Sequence, residues 1–255
     1  HGWKGKLVYH GIRLSEQIGS RLVDEVITVD ETLGNIYRKF NRRVLVIGHY
    51  PMLSLSAHRA NTFQADELRL LYAGRISTDR GMLIYLDVLR GLRDQGIPAK
   101  LTLSGSFIPD AEQEIFLQAS QDIQDWITIL GWTPYQEMPQ VLAKADVGLA
   151  ILLPEPRFVA AIPVKLFEYM AVGIPVVASD FPLVREIVSR HRCGVLIDPI
   201  TGIPSAIDAI SHWWQNSQEG IEAGERGRQA VTAQYNWETL MKQLSDLYQV
   251  ILPLR

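Results

Sequence analysis

Short apolar runs recur along the chain, at Glu25–Val29, Arg43–Ile47, Leu70–Ala73, Leu101–Leu103, Trp126–Ile129, Val147–Leu152, Pro175–Ala178 and Gly194–Ile197. Runs of this length predict buried parallel strands. Between most of them apolar residues return at helical spacing instead, as at Leu83, Leu86, Leu89 and Leu92, at Met138, Val141 and Leu142, or at Leu166, Tyr169 and Met170. Strands alternating with helices place the chain in the α/β class, as a doubly wound parallel sheet with helices on both faces.

The pattern also divides the chain. Lys4–Val23 reads as an amphipathic helix, with Leu7, Ile12, Ile18 and Leu22 among His, Arg, Glu and Gln. A strand, a helix and a second strand ending at Ile47 follow, and this first piece, residues 1–50, is too small to close a core alone. Gly48-His49-Tyr50-Pro51 and a polar stretch to about Asp66 break the periodicity, so 51–67 is expected to be a hinge. Residues 68–235 then supply six strand–helix units, enough for a complete domain. The chain closes on helical patterns at Ala206–Trp214, Ile221–Gln234 and Trp237–Ile251, the last forming a terminal helix over 236–255.

Composition narrows the function. The chain's 255 residues, 47% apolar and 21% charged, allow one large domain or two small ones and exclude disorder. Twenty-five Lys and Arg against 28 Asp and Glu leave a net charge of -3, so no global field gathers nucleic acid, and any anion site must be local. A single Cys193 and no N-x-[ST] acceptor favour a reducing, cytoplasmic setting. The longest uncharged apolar runs, Val147–Pro154 and Met170–Ala178, are too short to span a bilayer. The first residue is His1 and not Met, so the native N-terminus is not read from this chain.

Two segments carry candidate chemistry. In Ala161–Ala178, Pro163 suits a first helical position, Gly173 a left-handed stop, and Pro175 the opening of the next strand. The unpaired amides of Val164, Lys165 and Leu166 would then face whatever lies beyond the sheet's carboxyl edge. The helix dipole makes that an anion site, and Lys165 adds a full charge. Glu168, one turn on, suits the adjacent hydroxyls of a ribose. The competing local reading is a surface helix with a weak Lys165–Glu168 ion pair. In Tyr72–Gly81, Gly74 permits a sharp turn, and Arg75 and Arg80 place two guanidiniums where open α/β sheets bind ligands. Two solvated arginines beside a helix start compete with that reading. Gly131-Trp132-Thr133-Pro134-Tyr135 offers an aromatic platform to a base, against a buried or linker role. The dinucleotide fingerprint, the P-loop, any D-x-D pair and metal-ligand spacing are all missing from the sequence.

Taken together, Gly74-Arg75 through Arg80-Gly81, Gly131-Trp132 ahead of Met138–Asp146, Pro163–Ala171 and Val176–Asp180 resemble the C-terminal donor domain of group 1 (family 4) glycosyltransferases of the GT-B fold. The resemblance covers about residues 68–250, and Ile27–Pro51 looks like the last strands and hinge of the family's N-terminal acceptor domain. It implies a Rossmann-like domain holding a nucleotide-diphosphate sugar. Arg75, Arg80 and Lys165 would neutralise the diphosphate as the catalytic cations. The Val164, Lys165 and Leu166 amides after Pro163 would cap its phosphates, Glu168 would hold the ribose, Gly74 would admit the turn, and Gly131 and Trp132 would line the base. The implied reaction is retaining, needs no metal or other cofactor, and transfers the sugar to a glycan or lipid-linked acceptor. Two positions depart from the family. Ala160 stands where many relatives have a second Glu, so sugar recognition by that carboxylate is not implied, and Val164 stands where a small polar residue is common, so only its backbone amide contact carries over. A nucleotide-sugar 2-epimerase of the same fold, and a nucleotide-sugar sensor or degenerate partner subunit, remain alternatives. The resemblance also implies that most of the acceptor domain is missing, so the chain alone is expected not to transfer sugar. Lys4–Val23 is then either a core element of that domain or part of an interfacial face at the inner side of a membrane.

Overall fold

The computed structural model describes residues 3–56, 63 and 66–251. The chain forms two compact units, His1–His49 with Glu238–Arg255, and Tyr50–Trp237.

In the first unit, helix α1 (Trp3–Leu22) precedes strand β1 (Val26–Thr28), helix α2 (Glu31–Tyr37) and strand β2 (Val44–Val46). The strands pair in parallel, Val26 opposite Val44 and Thr28 opposite Val46. Asp30 caps α2 by accepting from the Leu33 amide at 2.7 Å. Asn41 Nδ2 donates to the Ser20 and Val23 carbonyls and so ties down the end of α1. The helix anticipated over Lys4–Val23 forms as α1, and its Leu7, Ile12, Ile18 and Leu22 are exposed.

The second unit opens with a short helix, α3 (Leu53–Ser56). The doubly wound domain follows as β3 (Leu68–Ala73), α4 (Met82–Asp94), β4 (Ala99–Ser104), α5 (Ala111–Ala119), β5 (Ile127–Gly131), α6 (Met138–Leu142), β6 (Val147–Ala150), α7 (Pro156–Val159), α8 (Val164–Val172), β7 (Val176–Ser179), α9 (Pro182–His191), β8 (Gly194–Ile197), α10 (Ile203–Gln215) and α11 (Ser217–Ala233). Helix α12 (Trp237–Ile251) passes from Glu238 into the first unit. The six strands run in the order β5-β4-β3-β6-β7-β8, all pairs parallel. Chain progress is outward from β3 on one side and outward from β6 on the other. The loops after β3 and β6 therefore leave at the point where strand order reverses, which is where open α/β sheets hold ligands.

Both sheet faces are covered, as near-continuous apolar strands require. Leu70, Tyr72, Leu101, Leu103 and Leu149 pack on one side with Tyr85, Leu89 and Ile210. Leu71, Ala73, Ala150 and Ala178 pack on the other with Phe167, Tyr169, Met170 and Val188. β3 and β4 extend beyond the anticipated runs because Arg69 and Lys100 alternate with buried residues while keeping the ladder from Leu68–Ala99 to Ala73–Ser104.

The stretch expected to be a hinge, 51–67, opens with α3. Tyr50 packs edge-on against Phe167, with ring centroids 4.8 Å apart, and Leu55 of α3 is buried in the core beneath α8. Tyr50 and Leu55 both belong to the second unit, which begins at Tyr50. Hinge positions 57–62, 64 and 65 lie outside the described residues. Among the described residues no helix is long and apolar enough to cross a membrane.

Candidate functional site

The carboxyl ends of β3, β4 and β5 are locked flush by glycine. Gly74 leaves β3 with φ of 124° and donates its amide to the Ser104 carbonyl, and Gly105 leaves β4 with φ of 149° and donates to the Gly131 carbonyl, both at 2.8 Å. A Cβ on Gly105 would sit 1.8 Å from the Gly74 carbonyl oxygen, so no side chain fits there. Gly131, with φ of 70°, turns the chain after β5 and leaves Trp132 74% exposed.

Helix α8 begins beside this edge. Pro163 is its extended N-cap rather than its first helical residue, and Gly173 ends it in the left-handed region as anticipated. Leu166 departs from expectation. Its amide donates to the Pro163 carbonyl at 3.0 Å and its side chain is fully buried in the core, so it adds no free amide. The Val164 and Lys165 amides remain at the helix start, and the Val164 side chain is exposed.

Lys165 does not reach into solvent. Its side chain is 7% exposed, and Nζ lies 3.4 Å above the Tyr72 ring and 3.4 Å from where a Gly74 Cβ would be. That nitrogen has no hydrogen-bond partner, and neither does the buried Nε of Arg80. Burial, and then the Arg80 guanidinium, hold Lys165 well below the usual lysine range, with Glu168 pulling in the opposite direction. Burial likewise raises half-buried Glu168, and Lys165 opposes it. The closed Lys165–Glu168 ion pair of the competing reading is therefore not formed. Arg75 turns aside and donates its Nε to the Ile108 carbonyl at 2.9 Å. Thus the fold brings together Gly74, Arg80, Lys165 and Glu168, with Arg75 and Trp132 on neighbouring turns.

The surrounding loops are held from several sides. Tyr169 Oη accepts from the Ala73 amide at 2.9 Å and lies 3.3 Å from the Leu149 carbonyl, which fixes α8 to the ends of β3 and β6. Tyr85 Oη lies 2.7 Å from the Arg80 carbonyl and 2.6 Å from that of Ile151. The Leu153 amide donates to the Asp79 carbonyl at 3.0 Å, and Arg157 forms an ion pair with the Asp79 carboxylate. Burial alone would raise Asp79, but the Ser77 hydroxyl and Arg157, Arg75 and Arg80 hold it below the usual range.

The family model described as Glycosyl transferases group 1 matches residues 67–216, more than half of the chain. The chain belongs to the group 1 glycosyltransferases. AmsK of Erwinia amylovora, an amylovoran biosynthesis glycosyltransferase, is 27% identical over 189 residues, which are 71% of this chain and 44% of AmsK. The alpha-D-kanosaminyltransferase of Streptomyces kanamyceticus is 23% identical over 188 residues, 73% of this chain and 46% of the relative. The chain thus spans less than half the length of these relatives. Among solved structures, HepE of Anabaena in complex with UDP-glucose superposes with a TM-score of 0.74 at 17% identity, over 93% of this chain and 67% of HepE. Sucrose-phosphate synthase of Thermosynechococcus elongatus does so with 0.73 at 22% identity, over 95% and 62%. Both show the fold, that of GT-B glycosyltransferases.

In this group 1 glycosyltransferase several site residues carry no strong signal in the sequence. Gly105 follows a strand directly, as Gly74 does, and that parallel is the one cue to it. Phe158 has Arg80 and Arg157 within 5.0 and 4.8 Å of its ring centre, contacts that only the tertiary fold creates. Ala160 closes α7 and offers no carboxylate to a ligand. Among the described residues no group of three or more His, Cys, Asp or Glu could hold a metal ion.

Proposed function

We propose that this chain supplies the donor site of a retaining, metal-independent glycosyltransferase, which moves a sugar from a nucleotide-diphosphate donor to a glycan or glycoconjugate acceptor. The observation that carries the reading is the buried, partnerless Nζ of Lys165 at the start of α8, beside an equally partnerless Arg80 Nε and the bare backbone of Gly74. Buried polar atoms without partners are rare in native proteins, and these two are both donors. A diphosphate provides the acceptors they lack.

In this reading the phosphate oxygens meet Lys165, Arg80 and the Val164 and Lys165 amides, and Arg75 reaches them on leaving the Ile108 carbonyl. Glu168 accepts from the ribose hydroxyls, and exposed Trp132 stacks on the base. The cations stabilise the negative charge that develops on the departing diphosphate, the task a divalent metal performs in other enzymes. HepE was solved with UDP-glucose, and the relatives are named for amylovoran biosynthesis and kanosaminyl transfer, which supports a nucleotide-sugar donor. Calorimetric titration with UDP, GDP, UDP-glucose and GDP-mannose tests the site. Diphosphate-dependent binding unaffected by a chelator is expected, and absence of binding by all four rejects the assignment.

A further inference from the structure

The Lys165 environment suits a cation only when an anion is present. An ammonium presents three N–H donors, and here it would have no acceptor, with the face of the Tyr72 ring 3.4 Å from Nζ and the bare backbone of Gly74 beside it. Charged groups face it from two directions, Arg80 from the turn after β3 and Glu168 from the next turn of α8. Arg80 is permanently positive and repels it. The Tyr72 phenol is held neutral by burial, and its hydroxyl is engaged by the Arg75 carbonyl. On α7, Arg157 is occupied by Asp79.

We infer that Lys165 is an uncharged amine in the unliganded chain and takes up one proton from solvent when the donor's diphosphate arrives, so that donor binding is tied to proton uptake. The inference rests on the donor-site reading and goes beyond it by assigning a change of charge to one atom. The step balances simply. The amine lone pair takes a proton from buffer, the buffer's conjugate base is left behind, and the new ammonium donates to phosphate oxygens. Burial, which penalises the ammonium while the site is empty, strengthens its attraction to the diphosphate once the site is filled. Donor affinity consequently falls as pH rises, by about tenfold per pH unit between the pKa of Lys165 in the free chain and its higher value in the complex.

The test uses sugar nucleotides, because their diphosphate is esterified at both ends, whereas a terminal phosphate titrates near pH ~6 and adds its own protons. UDP-glucose and GDP-mannose are titrated calorimetrically into the 255-residue chain at pH 8 in two buffers of different ionisation enthalpy. The slope of binding enthalpy against ionisation enthalpy should report uptake of about one proton per donor bound. Uptake should persist in Glu168→Gln, which separates it from titration of that carboxyl. In the free chain, nitrogen NMR of the Lys165 Nζ, assigned by its loss in Lys165→Met, should show an amine at pH 8. Binding with no buffer dependence, loss of uptake in Glu168→Gln, or an ammonium in the free chain would overturn the inference while leaving the donor site standing. Failure of both nucleotides to bind removes the donor site and the inference with it.

Discussion

At the scale of single residues, the site exchanges stability for binding. Lys165 is buried without an acceptor, so replacing it by Met, of similar shape, should stabilise the unliganded chain by about 1 kcal/mol or more, while diphosphate binding is lost. The pH dependence has a definite sign. The folded pKa is depressed, so the unfolded chain binds more protons in the window below lysine's ordinary value near 10.4, and stability should rise as pH increases through it. Thermal melts from pH 7 to 9 should show that rise in the wild-type chain and a flatter profile in Lys165→Met. Glu168 makes a separate prediction. A hydrogen bond from a ribose hydroxyl to a carboxylate is worth about 1.5–3 kcal/mol, so Glu168→Ala should weaken nucleoside diphosphate binding by about tenfold to a hundredfold. A 2′-deoxynucleotide should bind the wild type correspondingly less well and discriminate less against the variant. Equal losses in both proteins would place the ribose elsewhere.

At the scale of elements, the site depends on how α8 is set against the sheet. Tyr169 Oη bridges the Ala73 amide and the Leu149 carbonyl from inside the core, so Tyr169→Phe leaves a buried N–H without an acceptor. That should cost about 1–3 kcal/mol by chemical denaturation and also weaken donor binding, because α8 and the end of β3 would no longer be held in register. Gly105→Ala should be worse, since its Cβ would meet the Gly74 carbonyl and its φ of 149° is strained for any side chain. The eight strands were legible because each is a short apolar run, and α8 because Pro163 and Gly173 bracket it. The polar ends of β4 were not, since only pairing with β3 makes Lys100 and Ser104 part of a strand. Similarly, helical spacing puts Lys165 and Glu168 on one face but says nothing of the Tyr72 ring beneath, and so a surface ion pair competed with an anion site until the fold placed Lys165 Nζ in the interior. The flush approach of Gly74 and Gly105 joins residues on different strands, which no local window contains.

At the scale of the whole molecule, every buried residue of the two packed sheet faces comes from Tyr50–Trp237, as do all the residues assigned to the diphosphate. A fragment of residues 50–237 should therefore unfold in one cooperative transition and bind sugar nucleotides with the affinity of the full chain. Cys193 provides an internal reporter. It is fully buried at the start of β8, and burial pushes its thiol up to about 12, so in the folded state it is neither accessible nor ionised at pH 8. Labelling by a thiol reagent then proceeds only through opening of this unit. If the fragment is an autonomous fold, its labelling rate should match that of the intact chain and slow equally when a sugar nucleotide is added. Faster labelling of the fragment, or loss of nucleotide protection in the fragment alone, would mean that residues 1–49 and 238–255 contribute to the stability of the donor site.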